Sequence, residues 1–565
     1  MADTRPHDVT PQSGPRPPVR GPSLSARLMR ASWRGLPPKR YDVGLEAGLA
    51  VPGADGGILR ADHYFPRADG DFPTLLIRSP YGRGLPWSPM FGILFAEQGF
   101  HVVLQSCRGT GGSDGRFDLW RNETADGLAA VTWLRGRPWF TGTLGTVGPS
   151  YLGYTQWALA LDPPPELKAM VVQVGMHDPH AFYHRGGAFH LENALAVGAG
   201  MTNQHRGIMP FLKAVLRLRR GLDGIVSARP LRKAYESALG ELPWLDGVMA
   251  HPDADDPYWR GAALAGAAEQ AGIPTALIGG WHDALVDQTF EQYARLRAAG
   301  ARTSLLVGPW THTSALQQGW PEVFAESLAW LRAHLCDDPS GLRPTGVRVH
   351  VGGADTWRDL DDWPQSPDPA PAPWYAAPDG SLTSRPPAEP APLTSFRHDP
   401  DAPTPSVGGL LLSRTAGPRD NTALEARDDV RTFTGPPLTE PLDAVGPVSA
   451  RVRLAVDTGH ADAFVRLCDV DGQGRSTNVC DGITRVATAP GTPTEVTVVM
   501  SPIAHRFAPG HRVRLQISGG AHPRYASNPG TGVPDTEATT VTPAHITLYT
   551  GTSLNLPGGT PAPER

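Results

Sequence analysis

Cysteine is scarce in this chain: four residues in 565, Cys107, Cys336, Cys468 and Cys480, with no C-x-x-C pair among them. So few cysteines in so long a chain exclude a disulfide framework. The expectation is buried free thiols, with Cys468 and Cys480 the one plausible pair because both fall in a strand-rich region. Positive charge is not in excess either. Lys and Arg number 51 against 56 Asp and Glu, a formal net charge of −5, which lacks the basic footprint of a nucleic-acid binder. Long apolar runs are missing as well, so neither a signal peptide nor a membrane span is expected, and cytoplasmic residence is the default. Residues 1–40 are rich in Pro, Arg and Ser and are expected to form a disordered or surface-draped tail. What remains is 40% hydrophobic and 19% charged, a globular composition with chain enough for two or three domains.

Past the tail, β-rich runs such as GILRADHYF (57–65), PTLLIRS (73–79) and HVVLQSC (101–107) alternate with helical patterns. NETADGLAAVTWLRG (122–136) opens with residues suited to a helix start and carries Leu128, Val131 and Leu134 on roughly one side. YTQWALAL (154–161) is apolar nearly all round and is expected to be buried. AMVVQVG (169–175), TALIGG (275–280) and TSLLVG (303–308) read as buried parallel strands, and FEQYARLRAAG (290–300) as a helix ended by glycine. The alternation predicts a doubly wound α/β domain over 41–176 and 273–340. Residues 177–272 are too long for a loop. Segments such as PFLKAVLRLRRG (210–221) and LRKAYESALGEL (231–242) predict a helical cap there. From 341 to 565, prolines and then short alternating strands predict an all-β sandwich or jelly roll.

Two serines sit in glycine-rich turns, Ser113 in GGSDG (111–115) and Ser150 in GPSYLG (148–153). A nucleophile elbow needs a strand entering a strained turn and a helix leaving it. TLGTVG leads straight into Ser150 and YLGYTQWALAL straight out, although Leu152 holds the usual second-glycine position. Ser113 has neither context, and RGTGGSDG also lacks the helix that a dinucleotide loop requires.

A serine nucleophile needs a histidine base and a carboxylate to orient it, and in this fold they follow in the order Ser, acid, His from loops after strands. WHDALVDQT after TALIGG offers Asp283 and Asp287. Asp283 is nearer the strand end, and Asp287 suits a helix N-terminus. PWTHTS after TSLLVG offers His312. His282 is the weaker candidate for the base because it shares the acid's loop. The oxyanion would be held by the backbone amide of Tyr151 and by a donor from RSPYGRG, where Tyr81 stands.

RSPYGRG, the loop Arg108–Gly115, Trp139 with GTLGTVGPSYLGYTQW, GGWHD, GPWTH and FVRLCDVDGQGRSTNVCDGITR together resemble the CocE/NonD hydrolases, the cocaine esterase and X-Pro dipeptidyl-peptidase group. The resemblance runs from about residue 42 to 550. It implies an α/β-hydrolase domain, an inserted helical cap and a C-terminal jelly roll closing over the site. It places the nucleophile on Ser150, the acid on Asp283, the base on His312 and the side-chain oxyanion donor on Tyr81, and the late glycine is the family's own form, G-x-S-Y-x-G. One departure stands out: QSCRG has Ser106 and Cys107 where the family commonly has an aspartate before Arg-Gly.

The implied activity is cleavage of an ester or amide of a small-molecule acyl substrate, with no metal or organic cofactor needed and no nucleic-acid or membrane partner. Self-association is frequent in relatives, so a homo-oligomer stays open. Three rivals stand beside it: an X-Pro dipeptidyl-peptidase or α-amino-acid ester hydrolase, an acyltransferase with the same triad, and a non-catalytic ligand-binding relative. The peptidase is disfavoured because only the tail precedes the hydrolase domain. The cap residues Phe182, Tyr183, Trp244, Tyr258 and Trp259 could line the pocket, and Asp178 or Glu192 could meet a substrate ammonium.

Overall fold

A computed structural model describes residues 19–264, 266–364 and 372–558. Among the described residues, ten strands form one sheet in the order β1-β2-β4-β3-β5-β6-β9-β10-β11-β12. These are β1 (Val43–Pro52), β2 (Ile58–Pro66), β3 (Thr74–Ser79), β4 (His101–Ser106), β5 (Leu144–Pro149) and β6 (Leu167–Gln173), then β9 (Thr275–His282), β10 (Thr303–Thr311), β11 (Val347–Val351) and β12 (Thr356–Leu360). A small separate hairpin, β7 (His184–Arg185) with β8 (Ala188–Phe189), lies between β6 and β9 in the chain. Strands β4 through β11 run parallel, and β1, β2 and β12 add antiparallel edges.

Every residue of β3, β4 and β5 is buried, as expected of parallel strands covered on both faces. Successive side chains feed two different cores. Met170, Val172 and Leu277 join the cluster on the side of the cap, while Ala169, Val171, Ala276 and Ile278 join the cluster under the helix Trp320–Leu335. The helix Tyr151–Ala160 is buried along its whole length, matching its apolar surface on all sides.

The sheet continues past residue 340, where the α/β domain was expected to end: β11 pairs with β10 at Leu305–Val347 and brings β12 with it. The boundary expected at residue 340 and the last strand of this sheet therefore do not coincide. The tail also departs from expectation. Residues 1–18 lie outside the described residues, but Leu24–Ser32 forms a helix capped by Ser23, with Ala26 buried and Arg30 paired to Glu97 at 2.8 Å.

Between β6 and β9 the cap is largely helical, with Leu191–Asn203 and Ile208–Val226 its longest helices. It differs from expectation in two places. Only Glu236–Leu239 of 231–242 is helical, because Arg232 N–H is drawn to the carbonyl of Thr536 at 2.8 Å and Lys233 takes a left-handed φ of 68°. The β7–β8 hairpin was also unforeseen. Its Gly186 (φ 56°) sits so close to the C-terminal domain that a Cβ would lie 1.9 Å from the Ile483 carbonyl oxygen.

Among its described residues the C-terminal part is all-β, built of two sheets. Leu442–Val456 buries alternate residues, and its Val448 and Val452 pack with Val465, Leu467 and Leu515 of the other sheet, the pattern of a sandwich. All four cysteines are free; Cys336 is exposed rather than buried, and Cys468 and Cys480 lie on paired strands without bonding. No described helix is long and apolar enough to cross a membrane.

Candidate active site

Four loops at the C-terminal ends of β3, β5, β9 and β10 carry Tyr81, Ser150, Asp283 and His312. A parallel sheet brings such loops to one edge whatever their separation in sequence. Ser150 stands between β5 and the helix Tyr151–Ala160 with φ 58° and ψ −122°, a left-handed backbone that a non-glycine residue adopts only under constraint. Its amide is held by the carbonyls of Gln173 and Val174 at 3.0 and 3.1 Å. The late glycine has a direct use. A Cβ on Gly153 would lie 2.9 Å from Gly175 Cα and 3.0 Å from Val172 Cγ1, so Gly153 is where the helix meets the neighbouring strand end, and Leu152 needs no such allowance.

The Tyr81 hydroxyl donates to Ser150 Oγ at 3.2 Å. Burial pushes its phenol up to about 12, and hydrogen bonds with Ser150 and the Tyr151 backbone amide oppose that shift. The phenol thus stays a proton donor at neutral pH, beside the amide at the positive end of the helix Tyr151–Ala160. Trp87 stacks on the Tyr81 ring with centroids 5.0 Å apart.

His312 Nδ1 lies 2.7 Å from Asp283 Oδ1; the carboxylate is fully buried and the imidazole side chain is 14% exposed. In this structure Ser150 is bonded to Tyr81, and no hydrogen bond joins it to His312 among the described residues. Asp287 is elsewhere, in the first turn of the helix Val286–Ala298 and paired with Arg185 at 2.7 Å. Ser113 is tied into its turn, donating to the Ser106 carbonyl at 3.0 Å and accepting the Arg60 amide at 2.9 Å.

Ser106 accepts from Arg83 at 2.6 Å, and Arg83 finds its carboxylate in Asp62 at 3.2 Å. Arg108 pairs with Asp126 at 2.6 Å and with Asp55.

A cavity of about 700 Å³ opens between the 109–122 loop and the cap, with Phe117, Trp244 and Tyr258 among its lining. It adjoins the loop that carries Tyr81, since a Cβ on Gly82 (φ 88°) would lie 3.4 Å from Cα of the cavity residue His205. Of the cap aromatics expected at the pocket, Trp244 and Tyr258 line this cavity, whereas Phe182, Tyr183 and Trp259 are buried in the core. Asp178 caps a helix by accepting the Ala181 amide, and burial raises the Glu192 carboxyl.

Sequence reasoning missed the support beneath Tyr151. Glu123 and Asp126, read as helix-start charges, are buried partners of Arg78 and Arg108. The one available signal was Arg78 itself, a charge inside the apolar strand TLLIRS.

Residues 55–314 match the family model described as X-Pro dipeptidyl-peptidase (S15 family), and residues 342–555 match that of the X-Pro dipeptidyl-peptidase C-terminal non-catalytic domain. The chain is 31% identical over 535 residues to cocaine esterase of Rhodococcus sp. (strain MB1 Bresler), covering 86% of this chain and 92% of that one. Among solved structures, a selenomethionine-labelled α-amino acid ester hydrolase superposes with a TM-score of 0.77 at 22% identity, covering 93% of this chain and 99% of that one. A CocE/NonD family hydrolase from Staphylococcus aureus superposes at 0.67 and 16% identity, covering 91% and 93%. At these identities both likenesses speak to the fold.

Proposed function

Because the chain belongs to the CocE/NonD serine hydrolases, the group of cocaine esterase and the X-Pro dipeptidyl peptidases, we propose that it cleaves the ester bond of a small-molecule acyl substrate through an acyl-enzyme on Ser150. The observation that carries this reading is Ser150 on a strained elbow, its Oγ within 3.2 Å of the Tyr81 hydroxyl, in a chain whose His312 and Asp283 are already paired at 2.7 Å.

Ser150 Oγ attacks the acyl carbonyl carbon while His312 Nε2 takes its proton. Asp283 holds the Nδ1–H and stabilises the imidazolium. Charge gathers on the carbonyl oxygen, where the Tyr81 hydroxyl and the Tyr151 amide donate. His312 then gives its proton to the departing alcohol, and a water, deprotonated by the same histidine, releases the acid and restores Ser150.

In this reading, catalysis belongs to residues 41–176 and 273–340, substrate choice to the cap over 177–272, and closure of the site to the β domain over 341–565. The four free thiols favour a reducing compartment and with it the cytoplasm. X-Pro peptide cleavage is the second reading, favoured by the S15 family model; the identity to an esterase over 86% of the chain weighs against it.

The test is hydrolysis of p-nitrophenyl acetate and butyrate by the wild type, Ser150→Ala and Ser113→Ala, with intact-mass detection of fluorophosphonate labelling. Turnover and labelling that vanish only in Ser150→Ala support the reading. Labelling that survives in Ser150→Ala overturns it.

A further inference from the structure

A second cavity, of about 330 Å³, lies where the ends of β9, β10 and β11 meet the β domain. Trp281, Pro309, Val479 and Ile503 give it apolar walls, and His282, His350 and His505 face it with Asp355 and Asp469. The two carboxylates are occupied. Asp469 binds His505 Nε2 at 2.9 Å and His511 Nδ1 at 2.8 Å, and Asp355 binds His350 Nε2 at 3.0 Å.

One buried imidazole nitrogen is left without a partner, and a half-buried imidazole stands beside it. His350 is 7% exposed, and its Nδ1 has no hydrogen-bond partner among the described residues. With the ring proton on Nε2, facing Asp355, that Nδ1 is an acceptor awaiting a donor. His282 has no hydrogen-bond partner for either nitrogen among the described residues. Burial, reinforced by His505, His350 and Arg419, holds its pKa down to about 4, so at neutral pH it is an uncharged ring with one N–H to donate. Buried polar atoms are normally satisfied, and a cavity with apolar walls and a few convergent unfilled polar groups is the usual form of a ligand site.

We propose that this cavity binds a small uncharged aromatic alcohol of the phenol type. Its hydroxyl donates to His350 Nδ1 and accepts from His282, the two roles one hydroxyl can fill at once. Its ring lies among Trp281, Val479 and Ile503. An anion is disfavoured, because the side chains of Asp355 and Asp469 already face the cavity and a further negative charge desolvated there has no compensating partner. The alcohol released from an aryl ester has this chemistry. The site would then take a product of the proposed reaction, beside His282, whose chain neighbour is Asp283.

The experiment titrates phenol into protein whose Ser150 carries a fluorophosphonate adduct, reading tryptophan fluorescence and binding heat, with His350→Phe and Val479→Trp in parallel and far-UV dichroism to verify folding. Saturable binding to the blocked wild type, weakened about tenfold or more in each variant, is the expected result. Absence of saturable binding, or equal affinity in wild type and both folded variants, overturns the proposal. Untreated protein is titrated alongside, so a failure of labelling counts against Ser150 alone, and dependence of binding on His350 still decides this site.

Discussion

The Tyr151 hydroxyl donates to Glu123 Oε1 at 3.0 Å and accepts the Trp120 backbone amide at the same distance, while Glu123 Oε2 lies 2.9 Å from Arg78. Tyr151 is thus gripped at both ends, its amide at the elbow and its hydroxyl under the helix Glu123–Arg135. Tyr151→Phe leaves the Trp120 amide buried without an acceptor. The expected cost is about 1–3 kcal/mol of stability in urea denaturation, together with a fall in kcat larger than any rise in KM. Unchanged stability and kcat would exclude the hydroxyl as an anchor.

Tyr81→Phe keeps the ring stacked on Trp87 and removes only the donor to Ser150. The acylation rate should fall by about 10² to 10³, the usual effect of losing one oxyanion donor, with the dichroism spectrum unchanged. Stopped-flow acylation by p-nitrophenyl butyrate reads this directly, and a wild-type rate would remove Tyr81 from the mechanism.

Asp283 and Asp287 are four residues apart but engage different partners, His312 and Arg185. Asp283→Asn should lower kcat by about 10⁴, as loss of the tautomer-setting carboxylate does in serine hydrolases. Asp287→Asn should stay within a few-fold of wild type. Steady-state kinetics of the two variants side by side would expose a reversed assignment at once.

Acid should destabilise the fold through buried imidazoles. His63 bridges Glu46 and His101 at 2.9 Å each, under the stacked ring of Trp139. Burial, with His63 beside it, holds His101 down to about 3, and burial also lowers His63. An unfolded histidine titrates near 6.5. Below that pH the unfolded chain takes up protons that the folded chain refuses, so stability is full above about pH 6.5 and drains away toward pH 3 at roughly 1.4 kcal/mol per pH unit per proton. His101→Gln should flatten that slope by about one proton in urea denaturation between pH 7 and 5; an unaltered slope would exclude His101 as a contributor.

The strand-end positions of Ser150, Asp283 and His312 were legible in the sequence because each follows its own strand within a few residues, so a local pattern was enough. The support under Tyr151 was not. Glu123 and Arg78 are 45 residues apart, and Glu123 at a helix start has a sufficient local explanation that hides its tertiary one. LRKAYESALGEL has helical periodicity, yet the contact from Arg232 to Thr536, some 300 residues away, decides its shape. The hairpin β7–β8 did leave a trace in its Gly186-Gly187 turn, but two-residue strands carry no alternation to read.

Arg185 in that hairpin donates to Ser501 Oγ at 2.9 Å and to the Asp481 carbonyl at 3.3 Å, while also pairing with Asp287 on the hydrolase sheet's helix. One side chain thus rivets three parts of the molecule, and the Gly186 backbone admits no larger residue against Ile483. A chimera that exchanged the C-terminal part for that of a relative would have to carry the HRGGAF segment along with it, so the hairpin and the sandwich form a single unit of inheritance although more than a hundred residues of chain divide them.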